Sequence, residues 1–325
     1  MSHYIITGGA GFIGSNLTRH LFKTEPGIKI TCIDNFDPFY PATIKHFNIH
    51  DFKDNPSYQL IETDLAKATD ASLAAQIPEK VDAIIHLAAK AGVRPSIENP
   101  LSYQQANVIG LQNILDFAKL KGIKQFVFAS SSSVYGINDH YPWKEEEKLM
   151  PISPYAMTKL AGEMLGHVYH KLFDMRFIAL RFFTVFGPRQ RPDLAIHKFA
   201  RLMSRGDEIP VYGDGSTERD YTYVDDIVDG IVAALDWTVA SDAGVFEVVN
   251  LGESRTTSLA RLVEIIGLEM GVSPKIHRLP NQPGDVQRTF ADVTKARELF
   301  GYDPATTVEE GIRRFADWFR AQPSS

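Results

Sequence analysis

The chain has 325 residues, 44% hydrophobic and 23% charged, with a formal net charge of -6 at pH 7, a pI near 5.9 and a mean hydropathy of -0.15. That length predicts two domains or one large α/β unit with an elaborated end, and the composition excludes disordered and collagen-like chains. The acidic balance provides no broad basic field, so nucleic acid is not an expected partner, and a single cysteine, Cys32, excludes an internal disulfide and a cysteine-based metal site. No metal is expected, and Cys32, among apolar neighbours, reads as a buried strand residue. The start, MSHYIITGGAGFIG, lacks the pattern of a signal peptide, and no run of eighteen apolar residues occurs. The expectation is a cytoplasmic protein with no membrane partner.

Short apolar runs at Tyr4 to Thr7, Lys29 to Ile33, Tyr58 to Ile61, Ala83 to Leu87, Gln125 to Ala129 and Phe177 to Leu180 predict strands. Helix-period segments near 12–23, 69–77, 100–121 and 154–173 separate them. This alternation predicts an α/β fold, a Rossmann-type doubly wound parallel sheet with its strand ends facing the ligand. Beyond residue 181 the regularity weakens: RFFTVFGPRQRPD and VYGDGSTERDY are rich in Gly, Pro and charge. Helical periods return near 194–205, 224–237, 257–270 and 306–320. The expected division is a cofactor domain over 1–181, with segments returning to it near 224–252 and a strand around Phe246 to Asn250. Residues 182–325 otherwise form a smaller, interleaved α/β substrate-binding lobe. No internal repeats or low-complexity tracts occur.

After the first strand, TGGAGFIG places Gly8, Gly11 and Gly14 three apart at a helix start, with Phe12 and Ile13 between the last two. Such glycines permit a tight turn, close approach of backbone to a pyrophosphate and packing of helix on strand, while free N–H groups at the helix start face the anion. A Gly-rich turn with no ligand also fits the triplet taken alone. The second strand ends in Asp34-Asn35, twenty residues beyond Gly14, where a carboxylate accepts ribose hydroxyls and repels a 2'-phosphate, favouring NAD over NADP. Asp64-Leu65 and His86-Leu87-Ala88-Ala89 supply two further strand ends for the adenine and pyrophosphate.

TGGAGFIG, Asp64-Leu65, HLAA, Asn107, a serine run before Val134-Tyr135-Gly136, and Tyr155-Ala156-Met157-Thr158-Lys159 together resemble the extended short-chain dehydrogenase/reductases, in the right order over essentially the whole chain. The resemblance implies NAD as cofactor and catalysis by Ser131, Tyr155 and Lys159, with Tyr155, Lys159 and Asn107 also on the cofactor. Tyr155 and Lys159, four apart on a helix expected to start at Ser153-Pro154, project from one face. A nearby ammonium stabilises a phenolate that is otherwise a poor base at neutral pH, and such a phenolate takes a proton from a sugar hydroxyl as hydride leaves the same carbon for NAD.

Dehydratases of that family carry an Asp-Glu pair immediately before Val-Tyr-Gly, and the sugar-nucleotide decarboxylases a glutamate; here those positions are Ser132 and Ser133, which leaves epimerisation. Arg94 and Arg219 are candidate diphosphate contacts, because guanidinium forks suit phosphate oxygens. Asp285 resembles the residue that accepts from the nucleoside ribose. Thr184 replaces the asparagine, and Gln282 the arginine, of the UDP-galactose epimerase pattern. With AGVRPS, GPRQRPD and DNFDPFYP, these departures are similar to the UDP-glucuronate 4-epimerase branch, which implies that Ser132, Ser133, Thr184 and Arg191 serve a sugar carboxylate. The expected activity is NAD-dependent C4 epimerisation of a UDP-hexose, UDP-glucuronate to UDP-galacturonate, in a homodimer paired through the helices near 100–121 and 154–173. A neutral UDP-glucose/UDP-galactose 4-epimerase is the alternative in substrate, and a non-catalytic NAD-binding regulator the alternative in class.

Overall fold

Seven apolar runs form one parallel sheet in the computed structural model, which describes residues 2–241, 244–280 and 286–322. The strands are β1 (His3–Thr7), β2 (Lys29–Asp34), β3 (Tyr58–Glu62), β4 (Ala83–His86), β5 (Gln125–Ser131), β6 (Arg176–Phe182) and β7 (Phe246–Leu251). They lie in the order β7-β6-β5-β4-β1-β2-β3. Helices cover both faces, so the inner strands are buried on both sides, while the edge strands β3 and β7 are only partly buried. Ile6, Cys32, Ile85, Val127 and Ile178 pack on one face, with the helices Phe12–Thr24 and Val224–Ala240. Ile5, Ile33, Ile84, Phe126 and Phe177 pack on the other, with Gly110–Lys121 and Pro154–Phe173. Cys32 is fully buried, as its neighbours predicted, and burial pushes its thiol up to about 12.

Strand order reverses between β1 and β4, and ligands of open α/β sheets bind at that switch, beyond the carboxyl ends of the strands. Over this edge sits the smaller lobe, with the helices Ala195–Ser204, Leu259–Met270 and Val308–Arg320 and three two-stranded ribbons. The chain leaves the lobe after Tyr223, runs through the Val224–Ala240 helix and β7 along the sheet, and then re-enters the lobe.

The Pro154–Phe173 helix starts where Ser153 and Pro154 direct it: Ser153 Oγ accepts from the Ala156 N–H at 3.1 Å, and proline occupies the first turn, where its missing N–H costs nothing. Gly166 lets this helix lie directly on the sheet, since a Cβ there would enter the Phe177 ring. The helix expected over 100–121 runs without a break and contains a π-helical turn, Gln105–Ile109, between Pro100–Gln104 and Gly110–Lys121. The helices Ala42–Ile49 and Val93–Glu98, and the parallel pair Glu208–Tyr212 with Lys275–Leu279, have no counterpart in the expected elements. Lys275–Leu279 is largely exposed and reads KIHRL, with no face for periodicity to reveal. No helix among the described residues is long and apolar enough to cross a membrane.

Candidate active site

A cleft of about 540 Å³ runs along the carboxyl edge of the sheet and under the lobe. At one end the glycine-rich turn meets the Phe12–Thr24 helix, whose N-cap Gly11 has no capping side chain and leaves first-turn N–H groups for an anion. A Cβ at Gly14 would stand 2.5 Å from the Gly8 carbonyl oxygen, so only glycine lets the helix start this close to the turn. Gly8, Gly11, Phe12, Ile13, Gly14, Asp34, Asn35, Asp64, Leu65, Leu87, Ala88 and Ala89, the residues expected to hold a dinucleotide, all line the cleft.

Asp34 accepts from the Ala10 N–H at 3.2 Å, the Phe36 N–H at 2.9 Å and Lys45 Nζ at 3.2 Å. A carboxylate has about four acceptor positions, so roughly one remains for a ribose hydroxyl. Lys45, which lines the cleft from the Ala42–Ile49 helix, is a donor that sequence reasoning missed. A lysine inside a short helix with a weak apolar pattern carries no local sign of what it faces.

Asn107 does not line the cleft. From the π-helical turn its carbonyl accepts from the Lys90 N–H at 2.7 Å, and its amide donates to the Lys90 carbonyl at 3.0 Å and to Thr158 Oγ1 at 2.9 Å. It thereby ties the loop after β4 to the helix that carries Tyr155.

At the centre of the cleft Ser131, Tyr155 and Lys159 come together. Ser131 Oγ accepts from the Ser133 N–H at 3.2 Å and from Ser133 Oγ at 2.9 Å, so its own proton is free for Tyr155 or a substrate oxygen. Burial raises the Tyr155 pKa above its ordinary value, against the hydrogen bond with Ser131 and the charge of Arg191. Lys159 Nζ donates to the Ala129 carbonyl at 2.6 Å and lies 6.0 Å from the centre of the Tyr155 ring. Burial drives Lys159 down to about 7, opposed by Glu163. Burial thus disfavours the charged form of both groups, moving the tyrosine up and the lysine down, and such displaced, buried titratable pairs cluster at acid–base sites.

Ser132, Ser133, Thr184, Arg191 and Arg219 line the far end. Arg191 donates from Nε and Nη2 to Asp193, at 3.0 and 2.7 Å, and its guanidinium carbon stands 5.2 Å from the centre of the Phe39 ring. Arg219 donates to the Glu218 carbonyl at 2.8 Å. Arg94 lies outside the cleft lining, 4.9 Å above the Tyr212 ring. Asp285 and Gln282 fall outside the described residues. Among the described residues no cluster of His, Cys, Asp and Glu is arranged to hold a metal.

This combination of fold and site defines an extended short-chain dehydrogenase/reductase: the family model for GDP-mannose 4,6 dehydratase matches residues 5–315, and the chain belongs to that family. It is 36% identical over 322 residues to a UDP-glucuronate 4-epimerase of Thermodesulfobacterium geofontis, covering 98% of this chain and 96% of that one. Among solved structures it is similar to the UDP-glucuronic acid 4-epimerase of Bacillus cereus in complex with UDP-glucuronic acid and NAD, with a TM-score of 0.90, 35% identity and 98% and 99% of the two chains covered. It is also similar to a UDP-N-acetylglucosamine 4-epimerase of Methanobrevibacter ruminantium, with a TM-score of 0.89, 31% identity and 99% of each chain covered.

Proposed function

We propose that this protein is an NAD-dependent isomerase that inverts C4 of UDP-glucuronate to give UDP-galacturonate, and the reverse. The observation that carries the reading is the lining beside Tyr155: three hydroxyl residues, Ser132, Ser133 and Thr184, and one guanidinium, Arg191, share the cleft with the catalytic pair. No acidic side chain stands at 132 or 133 to remove water or to assist loss of CO2. Full-length similarity to UDP-glucuronate 4-epimerases supports the same choice.

Bound NAD would supply the acceptor, and then the donor, of the C4 hydride. The glycine-rich turn, Asp34 and Lys45 would hold its adenosine and pyrophosphate, with Asp64, Leu65 and the loop Leu87 to Ala89 closing around them. Tyr155, ionised under the influence of the Lys159 ammonium, takes the proton of the C4 hydroxyl and later gives it back. Ser131, with its oxygen already accepting from Ser133, donates its proton to the C4 oxygen and positions it. Arg219 offers its charge to the diphosphate, and Arg191 with the hydroxyls of 132, 133 and 184 holds the C6 carboxylate. Held only at its two ends, the 4-keto sugar turns about its link to the diphosphate and presents its other face.

In this reading residues 1–181 and the returning 224–252 carry the cofactor, and the rest of 182–325 covers the sugar. The protein acts in the cytoplasm as a homodimer. The test is incubation of purified protein with UDP-glucuronate and no added cofactor, followed by separation of the products. The C4 epimer is expected; UDP-xylose or a 4-keto-6-deoxy sugar as main product would overturn the assignment.

A further inference from the structure

Glu163 stands one helical turn beyond Lys159, on the face that carries Tyr155 and Lys159. Its side chain is fully buried and takes three donors: Ser130 Oγ at 2.5 Å, Arg181 Nε at 2.9 Å and Arg181 Nη2 at 2.8 Å. Arg181 also donates to the Tyr135 hydroxyl at 3.0 Å and to the Glu145 carbonyl at 3.2 Å. One carboxylate thus ties the catalytic helix to the ends of β5 and β6. Stability alone is a weak reason for this arrangement, because a buried ion pair does little better than well-packed apolar side chains of the same volume.

The surroundings of Lys159 give a stronger reason. From β4 it faces His86, which burial, and secondarily Lys159 itself, hold neutral by lowering its pKa to about 3; its Nδ1 is 2.9 Å from Thr7 Oγ1. From β5 it meets the Ala129 carbonyl and the Phe128 ring, whose centre is 5.1 Å away. Arg181 approaches from β6 with its fork turned onto Glu163, and Tyr155 lies on the same helix. Among these groups Glu163 is the carboxylate, and it opposes the effect of burial on Lys159.

We propose that Glu163 is a positioning residue of the catalytic centre, acting through two neighbours: it keeps Lys159 protonated in a dry site, and through Ser130 it holds the strand end from which Ser131 reaches the cleft. The proposal rests on the epimerase reading for its kinetic test, and on the geometry alone for its spectroscopic one.

The experiment uses the full chain with its nucleotide bound and the variant Glu163→Gln, which keeps the size and removes the charge. The alkaline limb of kcat, set by loss of the Lys159 proton, is expected to move down by about one pH unit. KM for UDP-glucuronate and the NAD content should stay at the wild-type level. In parallel, the titration of the Lys159 ammonium, followed by 13C NMR of protein labelled at the lysine ε-carbons and taken as the difference from Lys159→Met in the same background, should move to lower pH. Glu163→Asp, which restores the charge, should return both readouts towards wild type. If the uncompensated Arg181 prevents folding, the double variant Glu163→Gln/Arg181→Gln removes both charges, and the same two displacements are expected of it. A uniform fall in kcat at every pH, with the limb and the Lys159 titration in place, would overturn the proposal. Absence of turnover by the wild type would defeat the epimerase reading instead and leave the Lys159 titration standing as the test.

Discussion

Lys159 is anchored to the Ala129 carbonyl at 2.6 Å while its ammonium lies 6.0 Å from the centre of the Tyr155 ring, so the strand end that leads to Ser131 also fixes the cation beside the base. In the proposed reaction the tyrosine hydroxyl is the proton acceptor. Tyr155→Phe removes that oxygen and leaves the ring packed edge-on to Tyr103, with the centroids 6.3 Å apart. Turnover of UDP-glucuronate should fall by about 10²- to 10⁴-fold, the range of a single general acid–base group. Bound NAD, measured on denatured protein, should be unchanged, because the phenol is not needed to fill the glycine-rich end of the cleft. Unchanged turnover would remove Tyr155 from the proton transfer.

Burial gives Lys159 a second, thermodynamic signature. Its pKa is lowered from 10.5 to about 7 in the folded state, so between those values the unfolded chain binds the extra proton and the folded one does not. Stability must therefore rise with pH across that window, by at most about 1.4 kcal/mol per pH unit from this group. Nucleotide-free protein and its Lys159→Met variant, compared by urea unfolding at pH 7 and pH 9, isolate the contribution. The wild type should gain on the variant as pH rises, and equal slopes would show that the lysine is not desolvated.

At the sugar end the question is charge. Arg191 keeps Nε and Nη2 on Asp193 and rests against Phe39, which leaves its Nη1 edge for the substrate. A charged hydrogen bond of this kind contributes about 1.5–3 kcal/mol. Arg191→Ala should then lower kcat/KM for UDP-glucuronate by about 10- to 100-fold, with little change for UDP-glucose. Equal losses with the two sugars would remove the guanidinium from the C6 site and favour the neutral-sugar alternative.

What could be read from the sequence follows from which features are local. The glycine spacing, the Ser153-Pro154 start and the Tyr155/Lys159 interval each lie within a few residues and depend on one element's geometry, and the structure places all of them where they were expected. Lys45, Glu163 and Arg181 were not legible, because each is charged and reads alone as a solvated side chain. Only the packing of the catalytic helix on β5 and β6 turns Glu163 and Arg181 towards each other. The π-helical turn that aims Asn107 at Lys90 and Thr158 leaves no mark on a pattern of apolar residues. Arg94, read from AGVRPS as a diphosphate contact, stands in the Val93–Glu98 helix with its guanidinium over Tyr212, a placement that no local pattern reveals.

The outer face of the Pro154–Phe173 helix carries the last prediction. Met157, Met164, Val168 and Leu172 are 40, 52, 44 and 67% exposed and recur at intervals of seven, four and four, a single apolar stripe on a helix whose opposite face is buried on the sheet. Leu101, 62% exposed, adds to it from the neighbouring Pro100–Gln104 helix. A stripe continuous over several turns is unusual on a free surface and suits pairing with a second copy about a two-fold axis, in which the same residues meet from both sides. Glutamates at two central positions, Met164→Glu with Val168→Glu, would bring four like charges together across that axis. The double variant should sediment as a monomer at micromolar concentration, with the wild type a dimer and the far-ultraviolet spectrum unchanged between them. A wild-type monomer, or a variant that remains dimeric, would show that this stripe is not the interface.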